Sequence, residues 1–195
     1  MSTVPLKSIA EILVGYQSRK RVMSAPAGSH RLIQGRDIVS AELLSIENLL
    51  SFTPDRNPAL AETVKFEDIL FQARGAVHYA HCVTQDLANT LVSGSFYIIR
   101  PDRARVCPRY LAWWLNQDPA QQRLQSQSQS TTIPFVSKSV LSRLEVRLPS
   151  LETQEKIARI IDLRHREMDL RRQIMEKRLQ IIARVCMASI QEQGA

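Results

Sequence analysis

Glycine is scarce in this chain. Six glycines are spread over 195 residues without clustering. There is accordingly no glycine-rich loop to cradle a phosphate and no Gly-x-Ser-x-Gly elbow to present a nucleophile. Cysteine is scarcer still. Cys82, Cys107 and Cys186 are odd in number and lack Cys-x-x-Cys spacing. They read as small apolar thiols in a reducing cytoplasm, not as a disulfide framework. No apolar run approaches the length of a membrane span, so no membrane contact is expected. The first residues, "MSTVPLKSIAEIL", lack a basic segment followed by a long apolar one, which predicts no signal peptide.

Catalytic constellations are missing as well. Asn57-Pro58 continues as Ala59-Leu60, not as the Asn-Pro-Pro-aromatic motif of adenine-amino methyltransferases. No acid stands two residues before any lysine, so a nuclease centre of the Asp/Glu-x-Lys type has no candidate. His78, His81 and Cys82 form the one grouping with metal-ligand chemistry. Strand alternation would place His78 and Cys82 on one face and His81 on the other, and a zinc site normally needs four ligands. We expect no metal site and no catalysis by this chain.

What is present is apolar content, 44% of residues, enough for one compact domain with a core. Charge is present too. The formal net charge is +7, unevenly placed. Residues 1–36 carry six basic groups (Lys7, Arg19, Lys20, Arg21, Arg31, Arg36) against a single acid, Glu11. Residues 152–195 carry nine basic and seven acidic groups. The excess sits where a phosphate backbone could be gripped, and the nearly balanced C-terminal part suits a scaffold.

Along the chain, residues 4–18 read as a short amphipathic element ended by Gly15, followed by a basic loop. "HRLIQGRDI" reads as a strand and turn; 44–53 fits strand or helix and is read as irregular. "ILFQAR", "AVHYAHCV" and "SGSFYIIRP" read as strands. Pro108 opens a helical stretch through Tyr110, Leu111, Trp114 and Leu115 into "NQDPAQQRLQSQ". Tyr110, Trp113 and Trp114 are expected in the core, not as a base-stacking platform. Residues 126–132 form a polar loop. In "LSRLEVRLPSLETQEKIARII" a period-two rhythm (Leu144, Val146, Leu148) stops at Pro149-Ser150 and becomes helical (Ile157, Ile160, Ile161). From Leu151 to about Gln191 no Pro or Gly interrupts, giving a helix roughly 60 Å long. Leu170, Ile174, Ile181 and Val185 form one apolar stripe; Met168, Met175, Leu179, Ile182 and Cys186 form another beside it. Their spacings suit a coiled-coil or bundle seam, although Arg164, Arg171 and Arg178 interrupt it every seven residues. A stripe this wide needs a partner.

Five segments in order carry a family resemblance: "PLKSIAEILVGYQSRK", "HRLIQGRDI", "VKFEDILFQARG", "PRYLAWWLNQ" and "QSTTIPFVSKSVLSRLEVRLPSLETQEKIARIID". Together they resemble the specificity (S) subunit of type I restriction-modification systems over nearly the whole chain. Glu67-Asp68 stands where that family usually has Gly-Asp, and Ser130 where it often has Gly. A complete S subunit resembles two such units in tandem, and here there is one of each. The resemblance implies an α+β fold: one small mixed α/β DNA target recognition domain, residues 1–149, then a long C-terminal helix, 150–195, forming a coiled coil or helix bundle. The first segment would be the family's opening helix.

The resemblance also implies a function: recognition of double-stranded DNA, with chemistry supplied by others. An adenine methyltransferase (M) subunit would hold S-adenosylmethionine, a restriction or motor (R) subunit would hydrolyse ATP and cleave, and no cofactor would bind this chain. The expected DNA-contacting residues are Tyr16, Gln17, Arg19, Lys20 and Arg21, with Arg31 and Arg36; Arg74 and His78 beside Gly75; and Ser128, Ser130, Thr131 and Thr132. Arg can pair bidentately with guanine and Gln with adenine, while short hydroxyls suit phosphates. The helix residues Met168, Leu170, Ile174, Met175, Leu179, Ile181, Ile182 and Val185 are expected to make a homodimer and to meet the methyltransferase. The competing reading is a structural or decoy subunit that docks a methyltransferase without reading DNA.

Overall fold

A computed structural model describes residues 2–38, 44–75, 77–127 and 134–192, with side chains described to Ala188. It divides into two units, Met1–Ala158 and Arg159–Ala195. The division falls inside the long helix, nine residues beyond the expected domain end at 149.

The front of the chain is not helical. It forms strand β1 (Ser2–Pro5), a 3-10 turn (Leu6–Ser8) and strand β2 (Ala10–Val14). In β2 Ala10 and Ile12 are buried and Glu11 is exposed, a rhythm of two. The helical spacing of Leu6 and Ile9 comes from the 3-10 turn that precedes it. β2 then pairs antiparallel with β8 (Phe96–Pro101), from Ala10↔Pro101 to Val14↔Tyr97. Strand pairing across the domain overrides a weak local helix pattern.

Strand β3 (His30–Ile33) follows the basic loop as expected, and β5 (Ile69–Gln72) and β6 (Ala80–Cys82) also fall in their predicted segments. One short strand departs from expectation and another is unanticipated. β4 (Leu50–Phe52) lies in a segment read as irregular, and β7 (Thr90–Val92) lies where the sequence pattern gives no reading. β2, β8, β5 and β6 form a four-stranded sheet in that order; β4, β3 and β7 form a three-stranded one, in which β3 and β7 run parallel. A third pairing joins β1 to β9 (Glu145–Leu148), Ser2 opposite Leu148.

The expected single helix after Pro108 is two: α1 (Pro108–Leu115) and α2 (Asp118–Ser126). Proline is tolerated in the first turn of a helix and not in its interior, so Pro119 begins a new helix. Between them Asn116 uses its side-chain amide as a strand edge: Oδ1 accepts the Ala80 N–H at 2.9 Å and Nδ2 donates to the Ala80 carbonyl at 2.8 Å. Tyr110 and Trp114 are buried in the core and Trp113 packs half-buried against it. The main core gathers Leu6, Ile9, Phe71, Ile99, Leu111 and Val146; a second cluster around Leu70, Val92, Phe96 and Ile98 lies on the other face of the four-stranded sheet. Each such side chain contributes about 1.5–3 kcal/mol on full burial.

A short helix α3 (Lys138–Arg143), capped by the Ser137 hydroxyl, leads into β9. β9 buries Val146 and exposes Glu145 and Arg147, and Pro149-Ser150 ends it. The Ser150 hydroxyl accepts the Thr153 N–H at 3.3 Å, capping helix α4 (Leu151–Glu192). Gln154 in its first turn is buried; its Oε1 accepts the Cys107 N–H at 2.9 Å. In the second unit Met168, Leu170, Ile174, Met175, Leu179, Ile181, Ile182 and Val185 are all exposed.

Candidate nucleic-acid interface

The turn Ser93-Gly94-Ser95, between β7 and β8, gathers segments far apart in sequence. The Tyr16 N–H donates to the Val92 carbonyl at 2.7 Å, and a β-carbon at Gly94 would stand 3.0 Å from Gln17 Cγ. The Ser93 N–H donates to the Ile33 carbonyl at 2.9 Å, two residues before the turn that carries Gly35 and Arg36. The Ser95 carbonyl accepts the N–H groups of Ala73 and Arg74 at 2.9 and 3.2 Å. Three of the expected contact segments are thus joined at one hub. Composition offered one faint signal for it, a glycine between two serines.

The fourth segment lies outside the described residues, so Ser128, Ser130, Thr131 and Thr132 have no described position. Its flank is placed, however. Phe135 pairs with Arg74 in an isolated bridge, and the Arg74 guanidinium lies over the Phe135 ring at 4.6 Å. Beside it Gly75 has φ +134°, a backbone that favours glycine. The Gln72 amide lies next to Gly75 and donates to the Arg74 carbonyl at 3.2 Å.

Two expected contact residues lie inside. His78 is buried; its ring stacks on Phe71 at 6.1 Å, and its Nδ1 lies 3.0 Å from the Gln72 carbonyl. It shapes the Arg74 turn from beneath and presents no surface to DNA. It also precedes β6 instead of lying in it, so the alternation with Cys82 does not arise. Among the described residues no three His, Cys, Asp or Glu side chains gather as a metal site. Tyr16 is buried too, its ring tilted on Phe52 at 5.8 Å, because an aromatic body gains more inside than on a wet loop.

Tyr16 reaches the loop from below through its hydroxyl, which donates to Asp55 Oδ1. The other carboxylate oxygen of Asp55 accepts the N–H groups of Arg19 at 2.7 Å and Lys20 at 3.1 Å, and the Ser18 hydroxyl at 3.2 Å. These donors hold the Asp55 carboxyl at a pKa of about 2, the Tyr16 hydroxyl first among them. Burial, then the bond to Asp55, pushes the Tyr16 phenol up. Over the Tyr16 ring sits the Arg56 guanidinium, 4.7 Å from its centroid, paired with both carboxylate oxygens of Glu62. Glu62 in turn accepts the Ala59 N–H at 2.8 Å. Asp55, Arg56 and Glu62 were missed in the sequence because acids and bases in a Pro-containing turn carry no pattern.

The result is a built loop. Gln17, Arg19, Lys20 and Arg21 are exposed on it. Arg36 is exposed, 3.9 Å from Asp37; Arg31 is half-buried, donating to the Ala88 carbonyl at 3.3 Å. Such an arrangement presents cations and amide groups from a hydrogen-bonded hub, a surface whose chemistry suits an anionic partner.

Comparison with known proteins makes the class specific. The family model of the type I restriction modification DNA specificity domain matches residues 61–177. The specificity subunit of the type I restriction enzyme HindI from Haemophilus influenzae is 30% identical over 149 residues, 74% of this chain and 32% of that subunit. Among solved structures, the HsdS subunit from Thermoanaerobacter tengcongensis superposes with a TM-score of 0.62 at 18% identity, over 88% of this chain and 44% of that one. The type I restriction-modification S subunit from M. genitalium gives 0.58 at 16% identity, over 83% and 38%. At these identities the structural likeness is one of fold. The chain belongs to the type I restriction-modification DNA specificity family, and it spans about a third of the HindI subunit's length.

Proposed function

We propose that this chain is a non-catalytic duplex-DNA recognition subunit that works as a homodimer. Two copies read one short half-site each, inverted across an unread spacer, for an adenine methyltransferase subunit that holds S-adenosylmethionine in the cytoplasm; a motor-nuclease subunit joins where cleavage occurs. The observation that carries the reading is the exposed cation set Arg19, Lys20 and Arg21, held on a hydrogen-bonded loop in a chain of the specificity family.

The helix supports the dimer. Its apolar side chains from Met168 to Val185 are uncovered in the single chain, and such a surface is unstable in water without a partner. Its charge is divided by halves. Residues 151–169 carry four basic and five acidic groups, and 170–192 carry five basic and two acidic ones. Two copies packed antiparallel set the acidic half of one against the basic half of the other, the closed twofold arrangement. The apolar surface left over suits helices of the methyltransferase.

Binding to duplex DNA, titrated with salt, tests the reading. Each of Arg19→Glu, Lys20→Glu and Arg21→Glu should lower the slope of log K against log salt by about one unit or more. A base-reading side chain, Gln17 or Arg74, should instead cost about 1–3 kcal/mol on the cognate site alone. Light scattering should give twice the chain mass of 22.2 kDa, and Ile174→Glu with Ile181→Glu should return the monomer. Methylated adenines should map to an interrupted inverted repeat. An asymmetric bipartite site would mean a different half-subunit is the partner. Absence of duplex binding, with the methyltransferase still bound, would leave only the docking role.

A further inference from the structure

Asp55 is an acid at the centre of the basic loop. Simple electrostatics says it should hinder DNA binding, because a fixed negative charge repels phosphate. Its bonds say otherwise. One carboxylate takes the Tyr16 hydroxyl from the core side and the Ser18 hydroxyl and the Arg19 and Lys20 amides from the loop side. The Asp55 N–H also donates to the Tyr16 hydroxyl oxygen at 3.1 Å, so the two residues bond in both directions. The single Ser18 hydroxyl proton lies between two acceptors, the Lys20 carbonyl at 2.7 Å and the more distant Asp55 Oδ2 at 3.2 Å, and closes the turn.

We infer that Asp55 is a positioning residue for DNA binding: it fixes the backbone of residues 18–20 so that the flanking cations stand at a set spacing before any phosphate arrives. The inference rests on the DNA-reading function above. Three consecutive cations repel one another, and an unheld loop would have to be ordered at the moment of binding, which weakens affinity. The carboxylate supplies that order in the free protein. Asp55 is itself exposed, but its oxygens are already engaged by the two amides and the Tyr16 hydroxyl. Arg56, held over the Tyr16 ring by Glu62, packs on the phenol as well.

The two effects have opposite signs, and that makes the test sharp. The full chain carrying Asp55→Ala or Asp55→Asn is titrated with mixed-sequence duplex DNA at two salt concentrations. Amide exchange at Arg19 and Lys20 and thermal melting are followed in parallel. Tyr16→Phe keeps the ring against Phe52 and removes only the hydroxyl. Asp86→Ala, an exposed acid outside the cluster, makes the same change in net charge as Asp55→Ala. The inference expects both Asp55 variants to stay folded but melt modestly below the wild type, lose amide protection at Arg19 and Lys20, and bind roughly tenfold more weakly with a shallower salt slope. Tyr16→Phe should fall between, and Asp86→Ala should bind as well as the wild type or better. Unchanged or tighter binding by Asp55→Ala overturns the inference while leaving the DNA-reading function intact. Loss of affinity with the loop amides still protected overturns it as well. Failure of the wild-type chain to bind duplex overturns the function itself, and this role of Asp55 with it.

Discussion

Gly15 lies against the backbone of Ser93 so closely that a β-carbon added to it would stand 2.3 Å from the Ser93 carbonyl oxygen and 2.7 Å from that of Val92. This contact seats the basic loop on the β7–β8 turn. Gly94 in the same turn faces Gln17 Cγ, the flexible part of a side chain, at 3.0 Å. Gly15→Ala should therefore destabilise by about 1–3 kcal/mol or more, since backbone must move. Gly94→Ala should stay within about 0.5 kcal/mol, since a side chain can turn aside. Denaturant unfolding of the two variants checks the order. Equal effects would mean that the loop is not seated on this turn.

Glu67 occupies the left-handed region, φ +67°, in the turn where relatives of this fold were expected to carry glycine. The turn is held around it. Asp68 is buried, accepts the Lys65 N–H at 2.8 Å, and pairs with both Arg100 Nε and Nη2 at 2.9 and 2.8 Å. The half-buried Glu67 side chain makes an ion pair with the exposed Arg103 at 2.8 Å. Alanine and glycine at this position both remove the ion pair, but only glycine relieves the backbone. Glu67→Gly should thus be more stable than Glu67→Ala by about 1 kcal/mol, the reverse of their order in a helix. Paired thermal melts decide it; alanine equal to glycine would mean the turn relaxes.

The pH response of the basic loop follows from Asp55. Its pKa is lowered from 3.8 to about 2 by the Tyr16 hydroxyl and the loop amides. A depressed carboxyl contributes stability that is fully present above its unfolded value and is lost as pH falls through its folded one. Glu62, held below its ordinary value chiefly by Arg56, acts in the same direction. Amide protection at Arg19 and Lys20 should then be flat above about pH 5, decline as pH falls below about 4 and be largely lost by about pH 2. Loss of protection between about pH 5 and 7 would exclude the carboxylate as the holding group.

What the sequence made legible was local. Pro149 and Ser150 announce the end of β9 and the start of α4, because the stop and the cap are written in adjacent residues. The alternation of Leu144, Val146 and Leu148 reports burial that needs no distant partner to read. The residues misread are those whose state is set from afar. β2 is a strand because β8 pairs with it, and β7 because β3 runs beside it. Tyr16 is buried because its ring packs on Phe52, and its hydroxyl meets Asp55, 39 residues away. His78 is buried because Phe71 and the Gln72 carbonyl receive it. A polar aromatic in a loop looks the same in sequence whether it faces water or a carboxylate.

Gln154 ties the start of the long helix to the recognition domain, and its chemistry gives a signed test. Its Oε1 accepts the Cys107 N–H at 2.9 Å and its Nε2 donates to the Pro149 carbonyl at 3.0 Å, both out of water. Gln154→Ala leaves that N–H and that carbonyl without their partner and should cost about 1–3 kcal/mol. Gln154→Glu keeps the shape, but an ionised carboxylate cannot donate to Pro149 and is buried, so at neutral pH it should be the worse variant. Burial raises the folded pKa of such a carboxyl above its unfolded value of about 4.3. The penalty is therefore largest above the folded pKa and disappears as pH falls through the unfolded one, where the neutral acid can again both donate and accept. Stability measured against pH should show Gln154→Glu closing on the wild type toward about pH 4 while Gln154→Ala runs parallel to it. Two parallel curves would mean that water reaches residue 154, and that the helix is not locked to the domain at its first turn.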